Sequence, residues 1–264
     1  MKVSIASYSF HGLTAAGMMD VFGYLETVQY RYRLQTADLW NGTLGPIEPE
    51  HLAKVKQQLV EREMTLVNYH VDGVHVWEDD PEARERNYRA ALQHLEAATY
   101  LGAKTVRIDM GGLGDTFTDE QLEFVADRYR EYACIAATSG FKVGPETHWG
   151  PSLNPAVQKA VYEAVCHPAY GILLHIGHWT AGHEEEGDAM AAPWAIHTHL
   201  PAAIVSTCLE EKLRLLLDAG YTGYWGVEHH SARNEYAEVE WQLAEVKRTL
   251  NRLAAEYPSL RGTC

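Results

Sequence analysis

Short apolar runs alternate along this chain with longer segments in which apolar residues recur every three or four positions. One such segment places Val239, Leu243, Val246, Leu250 and Leu253 on a single helix face. Short runs of branched and aromatic residues bounded by glycine or polar residues are typical of buried strands. The predicted strands are Val3–Tyr8, Thr36–Trp40, Thr65–Tyr69, Thr105–Asp109, Lys142–Glu146, Gly171–His175, Ala195–His199 and Tyr224–Glu228. The predicted helices are Ala16–Tyr30, Glu50–Arg62, Pro81–Leu101, Thr118–Thr138, Pro155–Cys166, Leu209–Ala219 and Tyr236–Ala255, and a long mixed loop follows the sixth strand.

This alternation predicts an α/β protein with a parallel sheet, because each crossover helix returns the chain to start a new strand in the same direction. Eight units in 264 residues favour a closed (β/α)₈ TIM barrel, and an open doubly wound sheet is the alternative. No GxGxxG motif follows the first strand, so a dinucleotide-binding sheet lacks its fingerprint. No low-complexity linker divides the chain, and we expect one domain over residues 1–264.

The composition of the chain disfavours several classes of function. The chain has 22 Lys and Arg against 36 Asp and Glu, a net charge of −14, which disfavours nucleic-acid binding. No apolar run reaches the length that spans a membrane. The four cysteines, Cys134, Cys166, Cys208 and Cys264, form no CxxC pair, which is typical of a reduced, cytoplasmic protein.

Histidines cluster at one predicted end of the barrel, the carboxyl ends of the strands, where barrel enzymes carry their active sites. Ten of the 14 histidines follow predicted strands. They are His11, His70, His75, His148, His175, His178, His197, His199, His229 and His230. Buried imidazoles and carboxylates are costly unless they are paired or bind a metal. A ring of them therefore indicates a metal site.

Glu146, His175, His199 and Glu228 end the fifth, sixth, seventh and eighth predicted strands. Two carboxylates and two imidazoles suit Mn²⁺, Fe²⁺, Co²⁺ or Zn²⁺. Each residue taken alone could equally be a rim residue or a helix cap. Together they favour one metal-binding group.

Four segments around these residues resemble the sugar phosphate isomerase/epimerase superfamily, the xylose-isomerase-like TIM barrels. They are FKVGPETHWG, NPAVQKAVYEAVCHPAYGILLHIGHW, AIHTHLP and GYTGYWGVEHH. The resemblance implies that Glu146, His199 and Glu228 bind a metal and that His178 faces the substrate. His175 stands where the family usually has Asp. This exchange either shifts the preference toward Fe²⁺, Co²⁺ or Zn²⁺, or leaves the site weak or vacant. We expect one divalent ion, first Mn²⁺, with Co²⁺, Fe²⁺, Zn²⁺ and Mg²⁺ as alternatives.

The activity that the resemblance implies starts beside a carbonyl of a ketose or related hydroxy-keto compound. The metal polarises this carbonyl, a base removes the adjacent proton, and an enediolate forms. Return of the proton gives an isomerase or epimerase. Loss of a neighbouring substituent gives the alternative, a lyase like the inosose dehydratases or the 3-keto C-glycoside deglycosidases. Glu146 and Glu228 are the expected acid and base.

Further residues follow the same strand ends. His148 could be an added acid or base, could orient Glu146 or could bind substrate. His70 and Arg107 are candidates for binding hydroxyls or a phosphate, although Arg107 could equally be a buried charge paired with a carboxylate such as Asp109. The other candidates are two indoles that could stack on a sugar ring or simply pack, Trp149 and Trp179.

Several points stay open at this stage. The EEEGD segment, Glu184–Asp188, is expected to be a solvated loop or a mobile lid. We expect His197 to support the metal site from behind. We expect His229 and His230 to be polar loop residues. Two further functions remain. An apurinic-site endonuclease is disfavoured by the charge, and a metal-free sugar- or protein-binding barrel stays open. We expect a small sugar or keto-sugar substrate, more often unphosphorylated. A homo-oligomer is compatible with the family, and a deglycosidase would need a small partner subunit.

Overall fold

A computed structural model describes residues 1–260. Eight strands alternate with helices along the chain, as expected for an α/β barrel. The strands are β1 Val3–Ile5, β2 Thr36–Trp40, β3 Thr65–Trp77, β4 Thr105–Gly111, β5 Lys142–Gly144, β6 Ile172–His175, β7 Ala195–Pro201 and β8 Trp225–Glu228.

The α-helices are α1 His11–Ala15, α2 Val21–Glu26, α3 Asn41–Leu44, α4 Pro49–Glu61, α5 Pro81–Leu101, α6 Asp119–Ser139, α7 Pro155–Val165, α8 Glu184–Ala191, α9 Ala202–Thr207, α10 Leu209–Asp218 and α11 Glu235–Leu253. A π-helical segment, Thr27–Arg31, extends α2. Short 3₁₀ segments cover Ser7–Phe10, Gly150–Leu153, Ala192–Trp194 and Pro258–Leu260.

Parallel pairing closes the strands into a barrel. The ladders run β1-β8-β7-β6 and β2-β3-β4-β5. Parallel bridges from Ala6 to Asp38 and from Glu146 to Leu173 join the two halves. The fold is therefore the expected (β/α)₈ barrel, and all eight carboxyl ends meet at one rim.

Strand β4 shows how the sequence divides the barrel wall into two faces. All seven of its residues are buried, and successive side chains point to opposite faces of the sheet. Val106, Ile108 and Met110 belong to the hydrophobic core, whereas Arg107 points inward to a cavity. Polar residues at alternate positions thus reach the barrel interior without disturbing the apolar layer under the helices.

Helix boundaries follow local capping chemistry. Asp80 accepts a hydrogen bond from the Glu82 backbone at the start of α5, and Gly102 ends the helix with a φ of 82°. The predicted bounds of α5 and β2 are confirmed. The helix predicted from Ala16 starts instead at Val21, because the Asp20 side chain caps it there.

Two strand predictions, those of the first and third strands, were wrong in length by three residues or more. The first strand ends at Ile5, and the chain then turns into the 3₁₀ segment. The third strand continues for eight residues beyond Tyr69, to Trp77, with a register shift between Val71 and His75. The shift belongs to the pairing of β3 with β4, and the apolar pattern of β3 alone does not encode it.

The prediction of a solvated loop at Glu184–Asp188 was also wrong, because this segment forms most of α8. Asp188 is fully buried. It accepts hydrogen bonds from the Gly177 backbone at 3.0 Å and the Trp179 indole at 2.8 Å, and it pairs with Lys212 at 2.9 Å. The carboxylate therefore fastens α8 to the loop that follows β6.

Two further properties concern the described part of the chain. Within residues 1–260, no helix is both long and apolar enough to cross a lipid bilayer. Cys134, Cys166 and Cys208 are free thiols, and Cys264 lies outside the described residues.

Candidate metal centre

Four buried side chains from neighbouring strands converge inside the carboxyl end of the barrel. Glu146 lies two residues past β5, His175 ends β6, His199 lies in β7 and Glu228 ends β8. None is more than 6% exposed. One donor atom from each side chain lies within 4.8 Å of those of the other three. The structure thus brings the four expected ligands together.

The distances fit a single divalent ion. His175 Nδ1 lies 3.1 Å from Glu146 Oε1 and 3.3 Å from Glu228 Oε2. His199 Nδ1 lies 3.0 Å and 3.2 Å from the same two oxygens. Ligands held at about 2.0–2.2 Å from an ion are themselves about 3.0–3.6 Å apart. Each imidazole nitrogen therefore stands at ligand spacing from both carboxylates.

The electrostatics of the four residues favour a positive charge between the carboxylates. Burial alone would raise the pKa of Glu146, but Arg107 and His199 hold it well below its usual range. At Glu228, burial alone would also raise the pKa, but His199 and His230 hold it well below its usual range. The pKa of His199 is raised well above its ordinary value, because the two glutamates outweigh burial. Both glutamates are therefore ionised and attract a cation.

Arg107 occupies the wall beside Glu146. Its Nη1 donates to Asp72 Oδ1 at 2.7 Å, to Asp109 Oδ2 at 3.0 Å and to the Val71 carbonyl at 2.9 Å. Its Nε lies 3.0 Å from Glu146 Oε2. The side chain is buried, so this is the buried charge paired with Asp109 that the sequence offered as an alternative. The guanidinium still borders the cavity, and its Nη1 and Nε already face carboxylates.

His148 is oriented by Asp109 rather than by a metal ligand. Its Nδ1 lies 2.9 Å from Asp109 Oδ2, and its ring lines the cavity. Burial alone would lower the pKa of His148, yet the hydrogen bond and charge of Asp109 raise it to about 9. The expectation that His148 might orient Glu146 is not met. A buried carboxylate fixes one nitrogen and leaves Nε2 without a hydrogen bond from the described residues.

A layer of polar side chains lies beneath the four ligands. Asp38 accepts hydrogen bonds from Ser4 Oγ at 3.0 Å and Asn68 Nδ2 at 2.9 Å, and its Oδ2 lies 2.7 Å from His197 Nε2. Burial would raise the pKa of Asp38, but the imidazoles of His197 and His199 lower it well below its usual range. His197 thus supports the site from behind, as its alternation with His199 suggested.

The cavity above the ligands has a volume of about 490 Å³. Besides the expected residues, Tyr8, Asp72 and His230 line it. His230 is a polar loop residue as expected, and its Nε2 also lies 3.0 Å from Glu228 Oε2. His229 is buried as well. Tyr8 and Asp72 escaped the sequence analysis because two strand ends were misplaced: Tyr8 lies beyond the end of β1, and Asp72 lies within β3.

His70 and His178 both reach the cavity. Burial, only partly opposed by Asp38, lowers the pKa of His70 to about 4. Burial and the neighbouring His175 lower the pKa of His178 to about 4. Both rings are therefore neutral near pH 7 and suit hydrogen bonds to hydroxyl groups.

The two indoles lie away from the cavity wall, so their expected role as sugar platforms is corrected. Trp179 is buried under α8, where its ring packs on Gly187 and its Nε1 donates to Asp188. Trp149 packs edge-on against His75, with ring centroids 4.8 Å apart. Both serve packing, which is the commoner role of Trp.

A sequence model of the xylose isomerase-like TIM barrel family matches residues 26–253. The chain therefore belongs to the xylose isomerase-like TIM barrels, which confirms the resemblance and the fold. No curated protein matched the sequence.

Solved structures share this fold over nearly their whole length. A 3-keto-D-glucoside 4-epimerase from E. coli has a TM-score of 0.75 at 14% identity, over 94% of this chain and 99% of its own. A probable 3-DHS dehydratase from Bacillus anthracis has a TM-score of 0.70 at 16% identity, over 96% and 100%. A xylose isomerase-like barrel from Mycobacterium smegmatis, in complex with magnesium, has a TM-score of 0.69 at 15% identity, over 93% and 97%. At these identities the likeness is one of fold.

Proposed function

We propose that this protein is a divalent-metal-dependent isomerase or epimerase of a ketose or related hydroxy-keto compound. The observation that carries the proposal is the convergence of Glu146, His175, His199 and Glu228 beside one cavity. Structural neighbours that include an epimerase and a dehydratase support chemistry of this kind. Mn²⁺ is the ion we propose first, because two imidazoles with two carboxylates suit first-row transition metals better than Mg²⁺.

When bound, the ion supplies a Lewis acid that polarises a carbonyl oxygen and acidifies the adjacent C–H bond. The protein's own groups then have to hold the substrate and move the proton. His70 and His178, both neutral near pH 7, are placed to hydrogen-bond substrate hydroxyls. His70 lies on β3 and His178 follows β6, so hydrogen bonds to both rings orient a polyhydroxylated substrate across the site.

The two glutamates differ in their freedom to take up a proton. Glu146 Oε1 faces the imidazoles and its Oε2 faces Arg107, so both oxygens are engaged. Glu228 Oε2 faces His175, His199 and His230, whereas its Oε1 accepts no hydrogen bond from the described residues. We therefore assign proton removal first to Glu228, and to Glu146 the second acid–base role or the orientation of the ion.

A lyase is the second candidate, and the Asp109–His148 pair favours it. Elimination requires an acid that protonates the departing oxygen. Asp109 holds His148 through Nδ1, and the opposite nitrogen is free to deliver a proton into the cavity. In an isomerase the same imidazole could return the proton at the neighbouring carbon. The reaction product separates these two cases.

The charge of the cavity favours a small neutral substrate. Arg107 is the only Lys or Arg among the described residues that line it, and its donors face Asp72, Asp109 and Glu146. Three carboxylates thus surround this one guanidinium, and no Lys lines the cavity among the described residues, so the site is poorly suited to a phosphate. This supports an unphosphorylated keto-sugar, and together with the net charge of −14 it argues against a nucleic-acid substrate.

The test is proton exchange in D₂O. Protein loaded with Mn²⁺ is incubated with a panel of neutral ketoses and 3-keto-glycosides, and products are examined by NMR after the paramagnetic ion has been removed. Deuterium beside the carbonyl with a new isomer or epimer supports the first proposal. Deuterium with loss of a substituent supports the lyase. If chelator-treated protein exchanges protons as fast as loaded protein, or if no substrate in the panel exchanges, metal-dependent isomerisation is contradicted.

A further inference from the structure

Three buried imidazoles surround one buried carboxylate beneath the metal ligands. Asp38 Oδ2 lies 2.7 Å from His197 Nε2 and 3.8 Å from His199 Nε2, and Asp38 Oδ1 lies 3.9 Å from His70 Nε2. All four residues are at most 1% exposed. Ser4 and Asn68, which lie on β1 and β3, hold the carboxylate from its other sides. The position of Asp38 is therefore fixed by the barrel strands, independently of the ligands above it.

His199 has two neutral tautomers with opposite consequences for metal binding. With the proton on Nδ1, the ring donates to Glu146 Oε1 at 3.0 Å. Nδ1, which faces the other candidate ligands, then has no lone pair for a metal ion. With the proton on Nε2, Nδ1 is free to bind an ion. Nε2 is buried and has no hydrogen-bond partner among the described residues, and it faces Asp38 Oδ2.

We infer that Asp38 is a positioning residue that selects the metal-binding tautomer of His199. At 3.8 Å the contact is an electrostatic one rather than a hydrogen bond, and the negative charge of Asp38 favours the tautomer that carries its proton on the facing nitrogen, Nε2. Carboxylates behind metal-binding histidines act in this way generally, since they fix both tautomer and ring orientation. His197 takes part by holding Asp38 Oδ2 toward the β7 side of the barrel.

The inference rests on the proposed metal site but makes a separate claim about affinity. Loss of such a carboxylate lowers metal affinity by about 10–100-fold. Asp38→Asn keeps the shape of the side chain and removes its charge. Asp188→Asn is the matched control, because Asp188 is also fully buried and its partners are Gly177, Trp179 and Lys212 rather than a ligand.

The experiment measures Zn²⁺ and Mn²⁺ dissociation constants by competition with a chromophoric chelator at one fixed pH. Wild-type protein that binds neither ion contradicts the proposed function and, with it, this inference. If wild type binds, we expect about 10–100-fold weaker binding in Asp38→Asn and less than about 3-fold change in Asp188→Asn. Equal affinity of Asp38→Asn and wild type, or equal weakening in both variants, overturns the role of Asp38 while leaving the metal site intact.

A measurement on the zinc-loaded wild type keeps the inference testable if Asp38→Asn does not fold. Long-range ¹H–¹⁵N NMR identifies which nitrogen of His199 carries the proton. We expect zinc on Nδ1 and a proton on the buried Nε2 that exchanges more slowly than the ring proton of the exposed His183. Zinc on Nε2, or a fast-exchanging Nε2 proton, overturns the inference.

Discussion

Arg107 Nε lies 3.0 Å from Glu146 Oε2, and Oε1 of the same carboxylate lies 3.0 Å from His199 Nδ1. One glutamate is thus shared between the guanidinium of Arg107 and the proposed metal site. Asp72 and Asp109 both face Nη1 of the guanidinium. Arg107 therefore links Asp72 and Asp109 to the candidate ligand Glu146. Glu146 has this guanidinium as a partner, whereas Glu228 faces imidazoles instead.

Removal of Arg107 should destabilise the fold. Arg107→Met leaves three carboxylates without their cation, and breaking a buried ion pair by removing one partner costs about 3–5 kcal/mol. Chemical denaturation of the chelator-treated protein measures this change. Arg86→Met is the control, because Arg86 is 65% exposed and its pairs with Asp80 and Glu82 are surface pairs worth about 0–1 kcal/mol. Equal destabilisation by both variants would show that the Arg107 network does not hold the barrel together.

Glu228→Gln should slow proton exchange more than it weakens metal binding. The amide keeps an oxygen for the ion but cannot accept the substrate proton, and loss of a positioned base costs about 10²–10⁴-fold. The measurement is deuterium uptake by the substrate found in the D₂O screen, at saturating Mn²⁺. Glu163→Gln, on the exposed face of α7, is the control. Unchanged exchange in Glu228→Gln would remove Glu228 as the base.

Asp109 and His148 should act as one unit. If Asp109 works only through the imidazole that it orients, the double variant Asp109→Asn with His148→Gln is no slower than His148→Gln alone. The measurement is the rate of product formation at saturating Mn²⁺ for both single variants and the double variant. Additive losses would mean that Asp109 acts through Arg107 instead, because it also accepts from that side chain.

His94 should make the fold sensitive to mild acid. Burial lowers the pKa of His94, whose Nδ1 lies 2.7 Å from the Tyr69 hydroxyl. The unfolded chain then binds a proton more readily than the folded protein, so stability falls as pH drops below the unfolded value of about 6.5. In His94→Gln, the denaturation midpoint should fall less between about pH 7.5 and pH 5.5 than in wild type. His183→Gln, at an exposed position, should follow wild type. The same slope in His94→Gln as in wild type would contradict this assignment.

Much of the barrel could be predicted because helix and strand periods differ and glycines mark the helix ends. Helix α5 was correct at both ends, since Asp80 and Gly102 are local signals. Strand β3 was not, because its register shift is a property of its pairing with β4 rather than of its own sequence. Helix α8 was missed because its acidic face resembles a solvated loop, and only the tertiary contacts of Asp188 show that it packs.

The group of candidate ligands was predictable because each member lies within two residues of a strand end, and barrel geometry places consecutive strand ends on one arc. The direction of each side chain was not. Arg107 and His148 could have pointed to substrate, to Glu146 or to Asp109, and only the structure distinguishes these cases. The role of Asp38 could not be assigned from the sequence, since a lone acidic residue within a strand does not show which imidazoles will surround it.

The most direct test of the account is the metal content of the protein purified without chelators, measured by elemental mass spectrometry. We predict about one first-row transition metal per chain in wild type and in His183→Ala, and loss of the ion in Glu228→Ala. Metal that persists in Glu228→Ala would place the ion elsewhere. No metal in wild type, together with metal in His175→Asp, would show that His175 disables the site, and would contradict the proposed metal-dependent isomerase.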